Sequence, residues 1–218
     1  MRIRSLLLLL TAATLVLAGC VSPDPVPSAS SSAAVEPSPT SSPTPEAAPQ
    51  LVLSVDSITY EHDGAAEVVP LDEGAALVAL LEGIAGAGTQ EEFDGPYDSE
   101  GGTRYRWEGI VVSIWAFDAA ADVSVDGATV GGVPIATTEG VAVGATRADA
   151  IAAGAFEICT YDGDGDGLTD SLALQATEVA DTQSLCRSGS AGIEFVDVGF
   201  TGDTVTRLSA PGNDFSDI

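Results

Sequence analysis

No lysine occurs in the 218 residues, and two of the seven arginines, Arg2 and Arg4, sit at the extreme N-terminus. Without lysine there is no Schiff-base amine and no lysine clamp for phosphate. Nucleic-acid binding needs clustered cations to displace counterions, and this chain has almost none. There is one histidine, His62, in a turn-like His-Asp-Gly. That placement reads as exposed and excludes a histidine-rich zinc centre. Three cysteines occur with no Cys-x-x-Cys, so a dithiol redox role is not indicated. No Gly-x-Ser-x-Gly is present, and no two of the 33 acids are singled out as a glycosidase pair. The longest apolar run, Leu6 to Leu17, is too short to span about 30 Å of hydrocarbon. What is abundant is acid. Beyond residue 19, 5 arginines face 33 carboxylates, a formal −28. Such a surface is solubilising, or offers an acidic face to a cationic partner or to metal ions.

The N-terminus carries an address. Arg2 and Arg4 precede the apolar run as a charged region does in a secretory signal. The run closes on Leu17-Ala18-Gly19-Cys20, which resembles the lipobox of bacterial lipoproteins. The resemblance implies cleavage after residue 19, acylation of Cys20, and export to the outer face of the cell membrane on a lipid anchor. Two or three acyl chains hold firmly where one alone is marginal. Residues 20–50 then hold eight of the twelve prolines among many Ser and Thr, with no aromatic residue. This composition predicts a disordered, extended stalk.

Residues 51–218 suit one domain or two small halves. Cys159 and Cys186 remain as a pair in an exported chain, which reads as a disulfide. Its loop of about 27 residues is worth about 3–4 kcal/mol on the chain-entropy account. Alternation predicts strands at 51–60 and through Val68–Val69, with His62-Asp63-Gly64 as the turn between them. Asp72 is placed to cap a helix whose Leu77, Leu80, Leu81 and Ile84 share one face. Gly86–Gly88 stops it. "TQEEFDGPYDSEGG" reads as an acidic loop. A hairpin joined near Glu108-Gly109 follows, then strands at 121–130 and 133–138 around Gly131-Gly132. Thr146 with Asp149 resembles a capping box opening a short helix that ends near Gly154. Strands are expected at 155–161, 171–178, 192–200 and 203–209. A helix followed by antiparallel strands thus occurs twice. The expected fold is α+β, two short helix-plus-antiparallel-sheet units in tandem, at 51–139 and 140–218.

The second unit resembles the repeat of the β-lactamase inhibitory proteins and the BamE-like lipoproteins. "GVAVGATRADAIAAGAFEIC" (140–159) carries the likeness, with Gly144-x-Thr146-Arg147 opening the helix and Cys159 following it. "VGFTGDTVTRLS" (198–209) stands where that family has its closing hairpin. The resemblance implies a helix-on-sheet fold whose sheet face or loops bind other proteins.

"CTYDGDGDGLTD" (159–170) places Asp162, Asp164, Asp166 and Asp170 at positions 1, 3, 5 and 9 of a calcium-type loop, with Gly167 at position 6. The carbonyl of Leu168 stands at position 7. Position 12, where a bidentate acid is expected, is Ala173. Two readings fit. Four carboxylates in nine residues repel one another unless a cation such as calcium relieves them. A polar hairpin tip also selects Asp and Gly for turn conformations. Aromatic residues gather on 97–117. Tyr105 and Trp107 share one strand face. With Trp115 they are either core or anchors for a protein partner. The sequence therefore leads to a surface lipoprotein with a non-catalytic binding domain. Its alternative is a calcium-stabilised structural module.

Overall fold

The computed structural model describes residues 47–95, 100–159, 161–163, 165 and 167–215. Cys20, the expected signal segment 1–19, most of the expected stalk, Tyr97, Asp164 and Asp166 lie outside the described residues. No helix among the described residues is long and apolar enough to cross a membrane.

Twelve strands and two helices make up the described chain. The first sheet contains β1 (Gln50–Leu53), β2 (Ser57–His62), β3 (Ala65–Pro70), β8 (Thr129–Val130) and β9 (Val133–Thr137) in the order β3-β2-β1-β9-β8. All its pairs are antiparallel except β1 with β9, which run parallel. The second sheet contains β4 (Thr89–Phe93), β5 (Gly102–Trp107), β6 (Ile110–Trp115), β7 (Ala121–Val125), β10 (Ser171–Val179), β11 (Gly192–Thr201) and β12 (Thr204–Asn213). Its order is β10-β11-β12-β7-β6-β5-β4, antiparallel throughout. Helix α1 (Gly74–Ala85) follows β3, and α2 (Arg147–Ala152) follows β9.

Local chemistry explains the turns. His62 pairs with Ala65 across Asp63-Gly64, and both loop residues take positive φ (50° and 73°). That is the two-residue hairpin geometry for which Asp-Gly is selected. In α1, Leu77, Leu80 and Leu81 are buried and Ile84 packs at the margin. Its N-cap is Glu73, one residue beyond Asp72, and it makes no side-chain cap bond. Gly86, at φ 78°, ends the helix. In α2 the capping box is complete. Thr146 accepts from the Asp149 amide, and the Asp149 carboxylate accepts from the Thr146 amide and hydroxyl.

One core serves both sheets. Trp107, Ile110, Val125, Leu208, Val198 and Leu172 lie opposite one another in register across β5, β6, β7, β12, β11 and β10. All six are buried, together with Leu51, Leu53, Ile58 and Ile135 of the first sheet and Leu77 and Leu81 of α1.

The expectation of two α+β units is overturned. Of the described residues, 48% lie in strands and 11% in helices, a β-rich fold of two sheets. β12 pairs with β7, Leu208 opposite Val125, so strands on either side of residue 140 share one sheet rather than forming separate helix-and-sheet units. Helix α2 spans six residues and cannot cover a sheet of its own. The helix-on-sheet arrangement implied by the inhibitory-protein resemblance goes with it. Two local readings are corrected as well. Thr89–Phe93, expected in a loop, is edge strand β4. Among the described residues of 155–161, expected as a strand, there is only an isolated bridge from Phe156 to Ala173.

Candidate functional site

The inward row of the seven-stranded sheet is apolar, so the period of two places polar residues on the opposite, outer face. Arg106, Val111, Ser124, Ser209, Asp197 and Ala173 lie opposite one another along it. A second row runs Glu91, Arg104, Ser113, Asp122. Glu91 Oε1 lies 3.4 Å from both Arg104 Nη1 and Arg106 Nη2, and Arg207 Nη2 lies 3.3 Å from Asp197 Oδ2. Three of the five arginines beyond Cys20 therefore stand on this face, matched by Glu91, Asp122 and Asp197. On a chain of net −26 this face is nearly neutral.

At its β4 end the outer face carries aromatic rings. Phe93 and Trp115 meet edge to face with centroids 4.9 Å apart. Trp115 and Phe117 stack at 5.6 Å. The Arg104 guanidinium lies 4.8 Å over Phe93, a cation–π contact. The indole Nε1 of Trp115 donates to Asp122 Oδ2 at 2.8 Å, which fixes the ring. Phe117 is 66% exposed. Gly102, opposite both Phe93 and Trp115, makes room for them, since a Cβ there would stand 2.9 Å from the Phe93 ring.

The three aromatic residues singled out from the sequence divide between the faces. Trp107 is buried and its Nε1 donates to the Gly86 carbonyl at 2.8 Å, tying β5 to the end of α1. Tyr105 packs against the core from the same side. Trp115 alone points outward. Its companions Phe93, Arg104 and Asp122 were not singled out. Their strands' parity relative to buried Trp107 carries the signal, and it becomes readable once β4 is recognised as a strand.

The other end of the face lies beside the disulfide and the aspartate loop. Cys159 and Cys186 stand with Cα atoms 5.3 Å apart, within the range a disulfide bridges. Ile158 packs there on Ala173, Ile193 and Phe195, a small satellite of the main core. In the loop, the Asp162 carboxylate accepts from the amides of Gly165 (2.7 Å) and Gly167 (3.0 Å), and Asp170 Oδ2 accepts from the Gly163 amide (2.8 Å). Gly165 and Gly167 adopt φ of 78° and 85°. Glycine takes this left-handed backbone at no steric cost. The Asp170 amide donates to the Tyr161 carbonyl at 2.7 Å and closes the loop. Leu168 follows Gly167 with its side chain exposed. Among the described residues no group of three or more His, Cys, Asp or Glu side chains gathers as a metal set. Asp162 and Asp170 are the two loop carboxylates described.

Arg147 holds this corner in place. Its guanidinium is buried, donates to the carbonyls of Thr169 (2.8 Å) and Gly202 (3.0 Å), and sits 4.0 Å over Phe200. It joins α2, the end of the aspartate loop and the β11–β12 hairpin. Nearby, the disulfide loop is tied to the C-terminal segment. Ser184 Oγ donates to buried Asp214 at 2.5 Å, and the Ile193 amide donates to the same carboxylate at 2.7 Å.

His62 stacks on Tyr60 at 4.4 Å on the β2–β3 hairpin of the other sheet. No known protein family, no curated protein and no solved structure matches this chain.

Proposed function

We propose that the chain is an exported lipoprotein, anchored through Cys20 to the outer face of the cell membrane, whose β-rich domain binds a partner and carries out no catalysis. The observation that carries the binding reading is the outer face of the seven-stranded sheet. It presents Phe93, Trp115 and Phe117 beside a charge-balanced strip on an otherwise acidic molecule. Rigid aromatic residues flanked by arginine are the usual anchors of protein interfaces. The acidic remainder of the surface repels nucleic acid and anionic lipid heads, which leaves the acyl groups as the contact with the membrane.

Cross-linking with mass spectrometry on intact cells tests this. The wild-type chain is expected to yield one recurrent partner with cross-links near β4–β6. A Trp115→Ala/Phe117→Ala double variant, equally abundant and equally anchored, is expected to lose them. Unchanged cross-links in the double variant overturn the reading of this face. Separately, Cys20→Ala is expected to release the protein to the medium or leave it unprocessed. Full partitioning of that variant into detergent would overturn the anchor.

A second reading, a calcium-stabilised structural module without a specific partner, is favoured by the aspartate loop. The amide of position 6, Gly167, donates to the carboxylate of position 1, Asp162. This bond closes the turn at Gly167, the position at which a calcium loop of this type needs glycine for its sharp turn. Calcium held by Asp162, Asp164, Asp166, Asp170 and the Leu168 carbonyl would stiffen the link between Cys159 and β10.

A further inference from the structure

A cavity of about 450 Å³ opens on the outer face where the aspartate loop meets the β11–β12 hairpin. It lies at the opposite end of the sheet from the Phe93–Trp115–Phe117 group. We propose that this cavity is a saccharide-binding site, formed by Tyr161, Asp170, Ser171, Thr201, Thr206 and Arg207.

The chemistry of the walls selects the ligand class. Three hydroxyl groups, a carboxylate and a guanidinium line one shallow space together with the apolar surface of Tyr161, Gly199 and Phe200. An apolar ligand would strip water from these groups without replacing their hydrogen bonds, which is costly. A strongly anionic ligand meets Asp170, and finds the Arg207 charge already offset by Asp197 at 3.3 Å. A cation meets the guanidinium. A neutral polyol satisfies donors and acceptors together, and its C–H faces suit an exposed ring. Tyr161 supplies that ring, at 68% exposure. The volume falls within the ordinary range for small-molecule clefts, about 300–1,000 Å³, enough for about one or two sugar rings.

The site is built by the fold. Arg207 stands opposite Gly199 in register and lies across it, its Nε and Nη2 3.5 Å from where a Cβ would be, in van der Waals contact. The Tyr161 ring rests against Gly163, where a Cβ would come within 2.9 Å of its Cε1. Tyr161 and Asp170 are the two ends of the aspartate loop, joined by the Asp170 amide at 2.7 Å. That bond holds the backbone of Tyr161 beside that of Asp170. The Phe200 amide donates to the Asp170 carbonyl at 2.8 Å and fixes that wall to β11.

The test uses the full chain carrying Cys20→Ala, labelled with ¹⁵N, and a panel of neutral oligosaccharides of about two to four hexose units, a length matched to the cleft. At least one is expected to shift the amides of Gly199, Thr201 and Arg207 with affinity on the order of millimolar, as for shallow polar sites. Tyr161→Ala and Arg207→Gln are each expected to weaken it about tenfold or more, a loss of one good contact. Their melting temperatures should match the parent, and Trp115→Ala should bind normally. Three results overturn the proposal: no shift from any oligosaccharide, shifts that both variants retain, or shifts confined to the neighbours of Trp115. None of these bears on the cross-linking of the Trp115 end, so the two readings stand or fall separately.

Discussion

The two faces of the seven-stranded sheet share strands and differ in what they carry. Along β6, Ile110 and Val112 point inward and are buried, while Val111, Ser113 and Trp115 alternate with them toward solvent. Along β12, Leu208 and Ala210 are buried, while Arg207 and Ser209 reach outward. The inward row runs unbroken across six strands and ties residues 107 to 208 into one core. The outward rows hold the arginines, the paired carboxylates and the exposed rings, with one small apolar satellite of Ala173, Ile193 and Phe195 at the β10–β11 end. Stability is thus concentrated on one face, leaving the other free to carry chemistry with little cost to the fold.

The sharpest way to break this comparison is to change neighbouring residues on opposite faces. Leu208 and Ser209 are adjacent in sequence, and only Leu208 sits in the core. Leu208→Ala is expected to cost about 2–5 kcal/mol, the range for deleting a buried leucine side chain. Ser209→Ala is expected to stay within about 0.5 kcal/mol, as surface changes do. Urea unfolding of the two variants measures both. Equal costs would mean that the outer face is also sealed, and would remove the ground for reading it as a recognition surface.

Arg147 is one of the few charged residues that are buried, with Asp214. Arg147→Ala leaves the Thr169 and Gly202 carbonyls without their donor. A buried group stripped of its partner costs about 1–3 kcal/mol. The loss should appear in the melting temperature. It should also appear as faster amide exchange at Asp170, whose amide closes the aspartate loop on Tyr161, and at Phe200, whose amide ties that loop to β11. A melting change without the exchange change would place the effect in α2 alone.

What the sequence discloses and what it hides follow the same division between local and distant. Asp63-Gly64, Glu108-Gly109 and Gly131-Gly132 are readable because a two-residue turn is decided by its own backbone preferences. The face of α1 is readable because Leu77, Leu80 and Leu81 repeat at the helical period. The Thr146–Asp149 box is readable because its partners lie within one helical turn. The pairing of β7 with β12 is not, because Val125 and Leu208 are joined only through the folded chain, and no local pattern records it. The same is true of β1 with β9. Edge strand β4 escapes because Thr89, Gln90, Glu91 and Glu92 are exposed, so no alternation between core and solvent is written into them. The segment 155–161 has apolar residues, yet it is fixed by the Phe156 bridge and by Cys159, not by a ladder. In the site, the calcium-type spacing and the cysteine pair are legible as spacing. The Tyr161–Arg207 cavity is not, since its walls come from segments far apart in the chain and meet only through the β10–β11–β12 register.

Calcium sharpens the comparison on the outer side. If the aspartate loop takes the ion, the melting temperature should rise by about 3–6 °C between EDTA and calcium at ten times Kd. This corresponds to roughly 1.4 kcal/mol of binding linkage. Affinity in the range of about 10⁻⁴–10⁻³ M is expected for a loop lacking its twelfth-position acid. Magnesium should do less, because it demands tighter octahedral geometry. Asp162→Asn with Asp166→Asn should abolish the response. A melting curve indifferent to about 10 mM calcium would leave the loop as a polar turn held by its own amides.

The smallest effect expected is at the entrance to α2. The side chain and backbone of Thr146 hold the Asp149 carboxyl below its usual range, because both donate to the ionised form. Its folded-state pKa is lower than its unfolded one, so the group contributes stability at pH values above the unfolded pKa, about 4. That contribution fades as pH falls through the lowered folded value, where the carboxylate takes up its proton. The melting difference between wild type and Asp149→Ala should therefore be constant near neutrality and shrink below about pH 4. Thr146→Ala removes the side-chain donor, the larger of the two causes, and moves the carboxyl toward its usual range, so that variant should show a weaker pH dependence. At neutral pH it should cost about 1 kcal/mol, as lost N-caps do. If the Asp149→Ala difference instead persists unchanged into acid, the residue acts through helix propensity. The capping box would then contribute geometry to the α2 entrance without contributing charge.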